Sequence, residues 1–144
     1  MSRESNKETL KRYYTDVFNK GKFSLWDELM DKNYVMHTQG GEFKGLKAAK
    51  EGFANRQASS SDGHYSILEM VAEGDTVMLR GEFKGTQTGP MGGNPPTGKK
   101  FTRAFAAIYR FKGGKIAGGW TLHYMLGMYQ QLGIKPPAAP AGRR

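Results

Sequence analysis

Apolar positions recur with two different periods along this chain, and the change of period divides it. Leu10, Tyr13, Tyr14, Val17 and Phe18 fall at i, i+3, i+4, i+7 and i+8, which predicts a helix over 6–20 with one apolar face. Ser5 and Glu8 have capping-box spacing, and Gly21 is a stop signal. A short second helix is expected over 24–31, started by Ser24 and striped by Trp26, Leu29 and Met30. Tyr34–Thr38 reads as a short strand, broken by Gly40, Gly41 and Gly45. Leu46, Ala49 and Phe53 then restart a helical period that runs to about Arg56. Beyond residue 63 the period falls to two. Strands are predicted over 64–72 and 76–84, joined by Glu73-Gly74-Asp75, and over about 100–112 and 115–124, joined by Gly113-Gly114. A Gly-, Pro- and Thr-rich loop separates the pairs, from Gly85 to Gly98. Met125 to Leu132 suggests a last helical turn or two, ended by Gly133, and residues 135–144 read as a flexible tail behind a single domain of 1–134.

Helices grouped first and strands grouped last indicate an α+β fold rather than alternating βαβ units. About three helices packed on one face of a curved antiparallel or mixed sheet make a cone-shaped α+β barrel. Its open end is a natural pocket for a small molecule.

Composition narrows the chemistry. The chain has 144 residues and no cysteine, which excludes disulfides, thiolate nucleophiles and cysteine-held metals. Three histidines, His37, His64 and His123, make a dedicated metal site unexpected. No apolar run reaches the roughly 18 residues of a membrane span, and the N-terminal residues do not read as a signal peptide, so a cytoplasmic protein is expected. The net charge of +9 is uneven: through Asn94 the 13 basic and 13 acidic residues balance, whereas the remainder has nine basic residues and no acid. This asymmetry reads either as attraction for an anion or as a solvated basic surface. Without the interleaved aromatic and basic strand pattern of an RNA-binding module, nucleic acid ranks last among partners. Any side-chain carboxylate used in catalysis must come from residues 1–82.

Several stretches, in order, resemble a known family. These are Tyr34-Val35-Met36-His37-Thr38, Val71-Ala72-Glu73-Gly74-Asp75-Thr76-Val77, Gly85-Thr86-Gln87-Thr88-Gly89, and Pro95-Pro96-Thr97-Gly98-Lys99. Arg110-Phe111 with Gly114-Lys115-Ile116 and Trp120, then Leu126-Gly127 and Gln130-Gln131-Leu132-Gly133, complete the set. Together they resemble the SnoaL-like polyketide cyclases of the nuclear-transport-factor-2-like superfamily, over residues of about 6–134. The resemblance implies a ketosteroid-isomerase-like fold, cofactor-independent chemistry on an apolar, polyketide- or terpenoid-like metabolite, and a homodimer through the sheet's outer face. Met78, Ala104, Ala106 and Ile108 could supply apolar area there. It also exposes a departure. The family's cyclase histidine and aspartate positions look like Ala107 and Thr121, and a further aspartate common in relatives is Tyr124. The cyclase pair is missing.

The remaining candidates follow from residue type and strand parity. His37, at the end of the short strand, is the leading proton-transfer candidate, because imidazole titrates near neutrality. His123 shares parity with Thr121 and would face the pocket with it; a bulge would turn Tyr124 inward instead. Arg103 shares a face with Phe101, Phe105, Ala107 and Tyr109, where it could hold a ligand carboxylate or enolate, or else pair with an acid such as Glu82. Tyr14, Trp26, Phe53 and Trp120 read as pocket wall or core, with the Tyr14 hydroxyl a candidate oxyanion donor. The expected reaction is acid–base isomerisation, cyclisation or dehydration without metal or cofactor, on a substrate that is apolar and could be anionic. The alternative is a non-catalytic ligand-binding or scaffold module of the same fold.

Overall fold

The computed structural model describes residues 3–39 and 41–137. The first helix runs α-helically over α1 (Arg3–Arg12) and continues as a π-helical segment over Tyr13–Asn19. Ser5 lies inside α1 and its carbonyl accepts from the Thr9 hydroxyl, so it is not the cap that its spacing with Glu8 suggested. The wider π turn lets two successive tyrosines, Tyr13 and Tyr14, both turn inward with Val17. Gly21, with φ of 71°, ends the segment. A 3₁₀ turn over Phe23–Leu25 contains Ser24 and leads into α2 (Trp26–Leu29).

Met30 is not the end of that helix but the first residue of β1 (Met30–Thr38), a longer strand than expected. It turns back into β2 (Gly41–Lys44), where glycine punctuation alone had indicated a break. α3 (Gly45–Ser59) follows, with Leu46, Ala49 and Phe53 half-buried against the core. Four long strands come next: β3 (His64–Glu73), β4 (Thr76–Thr86), β5 (Lys100–Lys112) and β6 (Lys115–His123). α4 (Met125–Leu132) closes the ordered body, and Gly133 stops it in the left-handed region. The tail expected from residue 135 falls, from residue 138 on, outside the described residues. Within them, the Asn94 side chain donates to the Lys135 carbonyl at 2.8 Å.

The six strands form one open, mixed sheet in the order β2-β1-β6-β5-β4-β3. All neighbours are antiparallel except β1 and β6, which run parallel. The fold is therefore the expected α+β class. Alternation is strict along β5: Phe101, Arg103, Phe105, Ala107, Tyr109 and Phe111 are buried, and the residues between them point outward. The main core lies between this inner face and the helices, around Leu10, Tyr13, Val17, Trp26, Leu79 and Ile116. A second cluster of Phe83, Met91, Phe101, Met128, Tyr129 and Leu132 packs under α4.

One irregularity sets the orientation of the last strand. The β5–β6 register shifts between Arg110 and Phe111, beside Gly118 and Gly119, whose φ values are 143° and 155°. A Cβ on Gly118 would stand 2.0 Å from the Val35 carbonyl oxygen, and one on Gly119 would stand 1.8 Å from that of Ile108. Only glycine fits between β1 and β5 at these positions. Past this bulge, Trp120 and Leu122 face outward, while Thr121 and His123 face in.

Candidate functional site

The inner face of the sheet and the helices enclose a cavity of about 210 Å³. The π-helical segment contributes Tyr13, Tyr14 and Phe18; β1 contributes Tyr34, Met36 and Thr38; α3 contributes Phe53 and Arg56. Tyr65, Arg103, Tyr109, Thr121 and His123 complete the wall from the other strands. No carboxylate is among the lining residues. The cavity is thus aromatic, ringed by hydroxyls, with one imidazole and two guanidiniums.

The hydroxyls are paired. Tyr14 and Tyr109 share a hydrogen bond of 2.6 Å, and Tyr13 bonds Tyr34. Burial raises the pKa of all four phenols above the ordinary tyrosine value, so they stay protonated donors at any physiological pH. His123 sits at the mouth of β6. Its backbone N–H donates to the Gln39 side-chain oxygen at 2.8 Å, and its ring stacks on Phe105 at 5.4 Å. Its Nδ1 is buried without a partner. Burial, and secondarily the Arg103 charge, push its pKa down from 6.5 to about 3, so the imidazole is neutral.

Arg103 is 8% exposed and has no ion pair among the described residues, so the Glu82 pairing does not form. Glu82 instead lies 3.8 Å from Lys84, on the outer side of β4. One guanidinium nitrogen of Arg103 contacts the Met128 sulfur at 3.7 Å.

The structure brings together Tyr14, Phe53, Arg103, Tyr109, Thr121 and His123, but not the rest of the expected set. His37 is on the opposite face of β1. Tyr34, Met36 and Thr38 point into the cavity, so alternation turns His37 out, where it stacks on Trp120 at 4.9 Å and meets Glu42 at 2.9 Å. Trp120 is 47% exposed and likewise lies outside. Tyr124 is 59% exposed; the bulge precedes Thr121 and so turns His123, not Tyr124, inward. Phe105 and Ala107 are buried beneath the cavity floor rather than lining it. Trp26 is core, packed edge-on against Tyr13, and its other side backs a separate surface recess with Phe23 and Lys50. Arg56, Tyr34 and Tyr65 went unrecognised as wall residues. The one sequence signal for Arg56 was its position three residues after Phe53, on the same helical face.

This topology has counterparts among known proteins. The family model of the SnoaL-like polyketide cyclases matches residues 8–132. The chain belongs to the SnoaL-like polyketide cyclase family. Among solved structures, IdmH from Streptomyces antibioticus is 25% identical, with 90% of this chain and 99% of that one covered and a TM-score of 0.81. A protein of Acidithiobacillus ferrooxidans is 29% identical over 92% and 97% of the two chains, with a TM-score of 0.80. TsrD from Streptomyces laurentii shares the fold at 24% identity and a TM-score of 0.83, over 94% and 99% of the chains. No curated protein matches the sequence. Within the SnoaL-like family, the positions that resemble the cyclase histidine and aspartate are Ala107 and Thr121, which face one another across β5 and β6. The first is buried under the cavity and the second lines it.

Proposed function

We propose that this SnoaL-like chain is a cofactor-independent acid–base enzyme acting on an apolar, polyketide- or terpenoid-like ketone. The reading is carried by one observation: a neutral imidazole, His123, shares an aromatic cavity with phenolic donors. His123 takes a proton from carbon next to the substrate carbonyl. Whichever of Tyr14 and Tyr109 accepts their shared hydrogen bond keeps its own O–H to donate to the developing enolate oxygen, and Arg103 adds positive charge. Returning the proton to another carbon completes an isomerisation; attack of the enolate on a second carbonyl closes a ring. IdmH, described as a candidate polyketide cyclase, supports this reaction class. His37, on the outer face, takes no part.

The test is solvent-deuterium exchange into 2-tetralone, a fused-ring ketone, followed by mass spectrometry. Wild type is expected to accelerate exchange over an equal concentration of imidazole. His123→Gln should lose at least tenfold of that rate, and His37→Ala should retain it. Equal rates in wild type and His123→Gln overturn the assignment. Binding without any exchange would establish the second reading, a ligand-binding module, which the absence of the family's cyclase pair at Ala107 and Thr121 favours.

The outward face supports a homodimer. Met78, Trp120 and Leu122 are each about half exposed or more, and Ala104, Ala106 and Ile108 lie between them. Covering these side chains with a second copy removes apolar area from water at roughly 25 cal/mol per Å². Light scattering at micromolar concentration should give twice the chain mass; a monomer refutes this.

A further inference from the structure

Two arginines, from different elements, close one end of the cavity. Arg56 comes from α3 and Arg103 from β5, and both line a second chamber of about 220 Å³ behind the first. That chamber is walled by Phe83, Phe101, Met91, Met125 and Met128, with Asn55, Ser59 and Ser60 on its polar side. The guanidiniums therefore border both spaces.

Neither arginine has an ion pair among the described residues. The Nε of each is buried without a hydrogen-bond partner. Arg56 donates to the Ser60 carbonyl at the long distance of 3.4 Å, and Arg103 reaches only the Met128 sulfur and the Tyr65 hydroxyl. What surrounds them is aromatic: Arg56 lies 4.6 Å from the Phe53 ring centroid and 5.0 Å from that of Phe83, and Arg103 lies 4.8 Å from Phe83. The ring faces offset part of the desolvation of the cations. They do not supply acceptors for the N–H groups, and two like charges share the Phe83 ring. Gly63 is shaped around this arrangement, since a Cβ there would stand 2.1 Å from Phe83 and 2.5 Å from an Arg56 nitrogen.

A guanidinium buried without a counter-charge, as that of Arg103 is, carries a desolvation cost that a bound anion would offset. Each chamber alone is below the roughly 300–1,000 Å³ of small-molecule pockets, whereas the two together fall inside that range. We infer that Arg56 and Arg103 form a subsite for a carboxylate carried by the apolar ligand, which sits with its ring system against the tyrosines and its carboxylate between the two guanidiniums. The planar forks of arginine suit a carboxylate. This deepens the enzyme reading above and rests on it, because the same cavity must take the ligand's apolar body.

The experiment is titration calorimetry with 2-naphthoate and 2-naphthamide, which differ in charge and little in shape. Wild type should bind the acid at least tenfold more tightly than the amide. Arg103→Gln and Arg56→Gln should each bring the two affinities within about twofold. Arg56 is half-buried and on a helix surface, so its variant tests the subsite even if Arg103→Gln does not fold. Equal affinities in wild type, or a preference that survives both substitutions, overturn the subsite while amide binding upholds the cavity. If neither compound binds wild type, the cavity reading falls, and the subsite with it.

Discussion

Holding His123 neutral inside the cavity makes the whole protein acid-sensitive in a defined window. The unfolded imidazole takes its proton near pH 6.5, whereas the folded one does so only near 3. Between these values the unfolded chain binds the extra proton, so stability rises with pH there. The contribution is fully present above 6.5 and is lost progressively as pH falls towards 3. At pH 5 the loss amounts to about 2 kcal/mol, and at the bottom of the window to about 4–5 kcal/mol, against a total of roughly 5–15 for a domain. Asp62, whose carboxyl is held below its usual range by the Thr86 hydroxyl and N–H, leaves the upper window clear. The perturbation is His123→Gln, which cannot titrate. Any packing lost with the Phe105 stack is the same at every pH, so the change between pH 7 and pH 5 isolates the proton. Thermal unfolding should show wild type losing roughly 4–8 °C more than the variant over that interval. Parallel pH profiles would refute the burial of His123 and remove the basis for its role as a base.

The glycine bulge predicts that Gly118→Ala destabilises by roughly 3 kcal/mol or more in urea unfolding, because it adds both a strained φ and a backbone clash. Tyr14→Phe should cost about 1–2 kcal/mol by stranding the Tyr109 hydroxyl, and Tyr109→Phe about the same, with the double variant costing less than their sum. Deleting residues 135–144 removes the Asn94 bond to the Lys135 carbonyl and little else described, so a loss of about 1 kcal/mol or less is expected by thermal unfolding; a drop of ten degrees would show that the tail docks.

Much of this architecture was legible because period and burial coincide. β5 alternates without interruption, so the inward residues Arg103 and Tyr109 could be named from parity alone. The helical stripe of Leu10, Tyr13, Tyr14 and Val17 likewise reports the buried face of the first helix. His37 was misread for lack of a parity reference on β1. Tyr34 and Met36 are as apolar as a wall requires, and they fix His37 on the other side once Tyr34 is known to face in. The bulge at Gly118-Gly119 was visible as two glycines, but which side chains it reorients depends on β1 lying beside them, a long-range fact. β2 and the pairing of Arg56 with Arg103 depend on the same kind of information: a short exposed strand and two distant arginines acquire meaning only once the sheet has curved.

The parallel pairing of β1 with β6 also orders events in time. Met36 lies beside Gly119, and β2 attaches to the sheet only through β1. β3, β4 and β5 can zip up as successive hairpins, each closing a modest loop. The β1–β2 hairpin cannot join the main sheet until β6 has emerged and docked, so it waits on the other end of the chain. Closing such a distant contact is slow, and on a ribosome the N-terminal third leaves the exit tunnel long before its partner strand is made. In that interval β1, with its β6 edge open and Tyr34 and Met36 uncovered, is the segment that a chaperone would encounter. Folding of this chain is therefore expected to be set by the arrival of its last strand.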